Sequence, residues 1–144
     1  MEITLQNLQK KILIPKAKVL KAVKQAYRKL EKKGHFKLKG HVECPFLPFA
    51  LSIAFVGTRR MRAVNKKYLG HDYVTDVLTF DLGEDAGEII ICPQVASANA
   101  RAHQTSTENE IILYVVHGIL HLAGYDDHKP HDILQMRRME KELL

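Results

Sequence analysis

Apolar residues alternate with polar ones in some stretches of the chain and return every three or four positions in others. Ile3 and Leu5 alternate with Glu2, Thr4 and Gln6, which predicts a first strand within Met1–Leu8. Pro15 then stands where a helix begins, and Val19, Leu20, Val23, Tyr27 and Leu30 follow at helical spacing until Gly34 supplies a stop. Gly34 to Pro48, with Pro45 inside it, reads as loop. The β-branched and aromatic run Phe49–Val56 predicts a buried strand. Thr58 stands in a capping position before a helix through Met61, Val64 and Asn65 to Tyr68. Asp76–Leu82 and Glu88–Ile91 predict two more strands around a turn in Gly83–Gly87, and a short helix follows Pro93 and ends near His103.

Thr107 and Glu110 make a capping-box pattern ahead of a strongly apolar helix from about Ile111 to Ala123, and Gly124 is placed to end it in a left-handed conformation. A last helix, Pro130–Leu143, is expected to turn Ile133, Leu134 and Met136 inward. Helices and strands in this order predict an α+β domain. One small mixed β-sheet packs with about five helices, and the whole of 1–144 forms a single domain.

With 46% hydrophobic residues in 144, the chain can bury a core without external staples. Cys44 and Cys92 form no metal-type pair and are expected to be reduced, buried and apolar in role. The N-terminal residues lack the apolar run of a signal peptide, and the apolar stretch Ile111–Val116 is too short to span a bilayer. A cytoplasmic protein without a membrane partner is the expectation; nothing in the pattern sets an oligomeric state. The charge adds more. The net +6 is concentrated between Lys10 and Lys39, where Glu31 is the only acid, and such a surface attracts polyanions.

The segment that carries chemistry runs from His117 to His128: His117-Gly118-Ile119-Leu120-His121-Leu122-Ala123-Gly124-Tyr125-Asp126-Asp127-His128. Residues four apart share one helix face, so His117 and His121 can aim both imidazoles at one point. The bend at Gly124 returns the chain towards that point and offers Asp127, or alternatively His128, as a third ligand. Three protein ligands leave a position for water, whose pKa falls to roughly 7 in catalytic zinc sites. In nearly apolar surroundings, two imidazoles without a shared partner would be costly. One divalent ion, zinc by preference, is therefore expected on His117, His121 and Asp127, with His117 and His121 catalytic through it. Zinc peptidases place a glutamate after the first histidine as general base; here that position is Gly118, which argues against a peptidase.

This segment resembles the signature H-G-x-L-H-L-x-G-Y-D-H of the YbeY family, bacterial metal-dependent endoribonucleases and ribosomal RNA maturation factors. Asn65-Lys66-Lys67-Tyr68 with Thr75-Asp76-Val77-Leu78-Thr79-Phe80 resembles the family's N-x-x-Y-R-x-x-D-x-P-T-D-V-L-S-F, and Gly87-Glu88-Ile89-Ile90-Ile91 resembles its G-D-I-x-I strand. The resemblance implies a hydrolase that prefers single-stranded RNA and acts in small-subunit ribosomal RNA processing and ribosome assembly. Its partners would be ribosomal RNA and the small subunit. Laid on the family pattern without a gap, the third histidine falls on Asp127. Leu69 stands where the family has an arginine, Val74 replaces its proline and Glu88 its aspartate. Arg59, Arg60, Arg62, Lys66 and Lys67 are then candidates to hold RNA phosphates in place of that arginine. Asp76 and Thr75 are expected to organise the loop before a strand. Tyr125 and Asp126 should hold the turn by hydrogen bonds. His35, His41, His71, His103 and His131 are expected at the surface without a role. Two other functions compete: a metalloprotease-like hydrolase, and a non-catalytic assembly factor with a structural metal.

Overall fold

The computed structural model describes residues 1–33 and 47–144. Its elements run β1 (Glu2–Asn7), α1 (Lys16–Lys33), β2 (Ala50–Phe55), α2 (Thr58–Leu69), β3 (Val77–Gly83), β4 (Ala86–Ile91), α3 (Pro93–Ala102), α4 (Thr107–Leu122) and α5 (Pro130–Leu143). The order is the one expected from the pattern, and the class is α+β. Gly34 as helix stop, most of the loop to Pro48, and His35, His41 and Cys44 lie outside the described residues.

Four strands form one mixed sheet in the order β1-β2-β4-β3. β1 runs parallel to β2 and β2 parallel to β4, while β3 closes an antiparallel hairpin with β4. The hairpin turns on Glu84 and Asp85, both with positive φ (47° and 65°). That is the primed turn whose twist suits a two-residue connection.

Period two along β2 and β4 divides the core. Leu51, Ile53 and Phe55, paired with Gly87, Ile89 and Ile91, face a layer made by α1, α3, α4 and α5. Ala54 and Ile90 face the other way, into a smaller cluster with Met61 and Val64 of α2, Leu78 and Cys92. Cys92 is fully buried with a free thiol, and burial pushes its pKa up.

α4 is the central helix, with Ile111, Tyr114, Val115, Val116, Ile119 and Leu120 all buried. Ser106, not Thr107, caps it: the Asn109 N–H donates to Ser106 Oγ at 3.0 Å. Glu110 is buried and faces His103 at 3.5 Å, so the helix starts one turn before Ile111 and the capping-box reading is corrected. Thr58 is likewise no cap. It is the first helical residue after Gly57, and its N–H donates to Gln94 Oε1. In α5 the buried stripe is Met136, Met139, Glu140 and Leu143. Ile133 and Leu134 are 39% and 72% exposed. That stripe lies one helical step from the expected one, because α5 rests on α4 by its C-terminal turns.

The contact between α4 and β4 is unusually close. A Cβ on Gly118 would stand 2.8 Å from Ile89 Cδ1 and 2.9 Å from its Cγ2. Gly118→Ala should therefore destabilise the protein by about 1–2 kcal/mol, because overpacking a filled core costs about 1–3 kcal/mol and alanine's helix propensity returns only about 1 kcal/mol. Urea denaturation at neutral pH measures this, and a neutral or stabilised variant would contradict the packing argument.

Candidate metal centre

Because Gly118 lies against β4, the adjoining face of α4 looks past the β3 edge of the sheet, where His117 and His121 line an open cleft of about 620 Å³. The two rings meet edge to face with centroids 4.6 Å apart. Their Nε2 atoms are 3.0 Å from each other.

The turn after α4 supplies the third group. Gly124 takes φ +89°, as expected of the helix end, and its N–H donates to the His121 carbonyl. Tyr125 is buried in the main core, and its N–H donates to the Leu120 carbonyl at 2.9 Å. With Tyr125 anchored and Asp126 Oδ1 accepting from the Asp127 N–H at 2.8 Å, Asp127 turns inward. Its Oδ2 lies 3.4 Å from His117 Nε2 and 3.6 Å from His121 Nε2. His128 points out. Its side chain is 84% exposed and faces Asp126 Oδ1 at 3.4 Å.

Ligand atoms about 2.0–2.2 Å from a tetrahedral zinc ion stand about 3.3–3.6 Å apart, the edge of that tetrahedron. The three observed separations, 3.0, 3.4 and 3.6 Å, bracket this edge. His117, His121 and Asp127 can thus hold one metal ion, with the fourth side open to the cleft. Burial, and after it the adjoining His117 ring, lower the pKa of His121 and favour the neutral imidazole a metal requires.

One group in the site was not expected from sequence. Glu140 of α5, 3% exposed, places Oε1 2.7 Å from His117 Nδ1. Arg137 Nη1 donates to both Glu140 oxygens, at 2.9 and 3.1 Å. Burial alone would push the Glu140 carboxyl up, but the hydrogen bonds from His117 and Arg137 hold it below the usual glutamate range. An ionised carboxylate only accepts, so His117 carries its proton on Nδ1 and leaves the Nε2 lone pair for the site. A carboxylate on the buried stripe of an amphipathic helix was the available signal, since such a group needs a partner.

The cleft wall also contains Asn65 and Leu69 from the end of α2, Thr75 and Asp76 before β3, and Thr79 and Asp81 on β3. Asp76 Oδ1 accepts from the Val77 N–H and from Thr75 Oγ1, so the pair does organise the entry to β3. His71, expected to be idle at the surface, is exposed but lines the cleft and stacks on Tyr73. Among the described residues, none that lines the cleft is Lys or Arg. The five cations proposed on α2 are turned elsewhere, because helical spacing gives the cleft side to Asn65 and Leu69. Arg62 and Lys66 pair with Asp72 at 2.8 and 3.6 Å, Lys67 lies over the Tyr68 ring at 5.2 Å, and Arg59 and Arg60 are exposed. None of the five lines the cleft, so any phosphate they hold would lie outside it.

The family model described as "Endoribonuclease YbeY" matches residues 4–144. The protein of that name from Chlorobium luteolum is 43% identical over 100 residues, which are 66% of this chain and 73% of the relative. The one from Thermotoga neapolitana is 42% identical over 92 residues, 63% of this chain and 61% of the relative. The one from an Anaeromyxobacter strain is 40% identical over 99 residues, 65% of this chain and 52% of the relative. Among solved structures, the solution structure of TM1509 from Thermotoga maritima superposes with a TM-score of 0.59 at 28% identity, covering 98% of this chain and 88% of that one.

Proposed function

The chain belongs to the endoribonuclease YbeY family, and from that premise we propose that it is a metal-dependent endoribonuclease preferring single-stranded RNA. In this reading it acts in the cytoplasm on small-subunit ribosomal RNA and in ribosome assembly, the roles its family resemblance implies. The observation that carries the chemistry is the convergence of His117 Nε2, His121 Nε2 and Asp127 Oδ2 at separations suited to one tetrahedral ion facing an open cleft.

When bound, a zinc-type ion supplies Lewis acidity for a phosphate oxygen and lowers the pKa of water. The chain's own residues prepare that site. α4 fixes the spacing of the two imidazoles, Glu140 holds the proton of His117 on Nδ1, and Asp127 contributes one negative charge. Thr75, Thr79 and His71 give the cleft wall groups that can hydrogen-bond a nucleotide.

Two observations weigh against the competing functions. A side chain at 118 would point into Ile89 rather than the cleft, so the position used by peptidases for a general base is closed. A structural zinc normally has four protein ligands, and among the described residues the group here has three: Asp126 turns to His128, and Tyr125 is in the core. No helix among the described residues is long and apolar enough to cross a membrane.

Purified protein is expected to cleave a single-stranded RNA oligomer, to stop in a chelator and to recover with added zinc, while leaving unstructured peptides intact. Full cleavage after exhaustive chelation, or turnover of the peptides alone, would overturn the proposal.

A further inference from the structure

Among the described residues the cleft is lined by Asp76, Asp81, Asp126 and Asp127 and by no lysine or arginine, yet a polynucleotide must be held by cations. The described cations lie elsewhere, and they are segregated. Residues 10–33 contain ten Lys and Arg against Glu31 alone, a net +9, so the rest of a +6 chain carries a net −3.

Helix α1 divides its cations between two uses. Lys18, Lys29 and Lys33, on its flank, are tied to the body of the protein. Lys18 Nζ bonds Glu108 Oε2 at 2.7 Å, Lys29 donates to the Glu142 and Leu143 carbonyls, and Lys33 pairs with Glu142. Lys21, Lys24, Arg28 and Lys32 follow at steps of three, four and four, directly opposite the buried stripe of Val19, Val23, Ala26 and Leu30. All four are exposed, and none makes an ion pair among the described residues. They form one row about 16 Å long at 1.5 Å of rise per residue.

The row also leads somewhere. The Lys18–Glu108 bridge joins the N-terminal ends of α1 and α4. At the other end, Lys29 and Lys33 hold Glu142 and Leu143 in the last turn of α5, and Glu140 of the same helix bonds His117, so α1 ends on the side of the molecule that carries the site. The two helices run the same way, and the basic row points to the end of the molecule where the metal centre lies.

We infer that Lys21, Lys24, Arg28 and Lys32 form a docking row for the phosphate backbone of an RNA strand longer than the cleft can hold, outside the metal centre. This rests on the nuclease reading above. The row supplies affinity without reading bases, because lysine on an exposed helix face contacts phosphate as a point charge.

The test combines Lys21→Gln, Lys24→Gln, Arg28→Gln and Lys32→Gln, which keep helix propensity. A labelled polyuridine strand of roughly 20 nucleotides is titrated by fluorescence anisotropy with chelator present and across a range of salt. The variant is expected to bind about tenfold to a hundredfold more weakly at low salt. Each phosphate contact on a single strand contributes about 0.7 to the slope of log affinity against log salt, so the slope should become shallower by about 3. A companion carrying Lys21→Arg, Lys24→Arg and Lys32→Arg should keep wild-type affinity. An unchanged slope in the glutamine variant of a protein that cleaves RNA overturns this inference alone, as does equal loss in the arginine companion. Wild-type binding to phosphatidylserine vesicles through the row, with RNA affinity unaltered by its removal, overturns it in favour of a membrane surface. Failure of the wild type to cleave any RNA sinks the nuclease reading instead, and the binding titration reports that case separately.

Discussion

Replacing His117 and His121 together with alanine is expected to reduce RNA cleavage by roughly a thousandfold or more and to bring the metal content of the purified protein to near zero. Each imidazole supplies one of three ligand atoms that lie 3.0 to 3.6 Å apart, and Asp127 alone is a weak monodentate site. Groups that act as a unit lose most of their effect when one is removed, so each single variant should fall nearly as far as the double. Both rings are largely covered, at 15% and 27% side-chain exposure, but neither is a main contributor to the core. The metal-free fold should therefore persist, with an unchanged circular dichroism spectrum. Elemental analysis and a cleavage assay decide the matter, and a metal-free double variant with full activity would remove the chemical basis for the site.

The second large effect belongs to Glu140. Glu140→Gln keeps the size of the side chain but replaces a carboxylate by an amide, which can present either its oxygen or its NH2 to His117 Nδ1. The tautomer of His117 is then no longer fixed. Changes to partners of this kind typically cost 10–100-fold in metal affinity, and that is the expected loss, measured by competition with a chelating dye. An acid titration gives a second readout that packing alone would not move. The carboxyl of Glu140 is held below the ordinary glutamate value of about 4.3, because the hydrogen bonds from His117 and Arg137 outweigh its burial. A lowered folded-state pKa means that the unfolded chain takes the proton first as pH falls. The stabilisation is present above about pH 4.3 and disappears as pH falls through the lower folded value. Urea denaturation of metal-free protein across this window should show the wild type losing stability more steeply than Glu140→Gln. Equal slopes together with equal metal affinity would reduce Glu140 to a packing residue.

Most elements of the fold were legible because apolar periodicity is a local property. The apolar run from Ile111 to Leu120, the alternation around Ile3 and Leu5 in β1 and the β-branched run of β2 could be read from neighbours alone. The misread details were those in which a tertiary partner decides. Thr107 and Glu110 fit a capping box in sequence, but Ser106 is one residue better placed, and Glu110 is drawn inward towards His103. Ile133 and Leu134 looked like the inner face of α5 until the packing on α4 selected Met136, Met139, Glu140 and Leu143. At the site, the i, i+4 histidines and the glycine turn were visible because helix geometry sets their spacing. The preference for Asp127 over His128 in sequence came from keeping a register, and the anchored Tyr125 gives that placement a physical cause. Glu140 is 23 residues from His117, and no local rule joins them. The basic residues of α2 were suggested by proximity in sequence, whereas the cleft takes only the side of that helix bearing Asn65 and Leu69.

The burial of α4 has one further consequence. Two of the three candidate donors stand on α4, whose backbone keeps them one turn apart and whose inner face is in the core. The third stands on the stretch Asp126–Lys129 near the surface, after the buried Tyr125 and beyond a glycine with positive φ. Any ion held there would have a stationary jaw and a movable one, and its rate of exchange would follow how often the Asp127 arm swings clear.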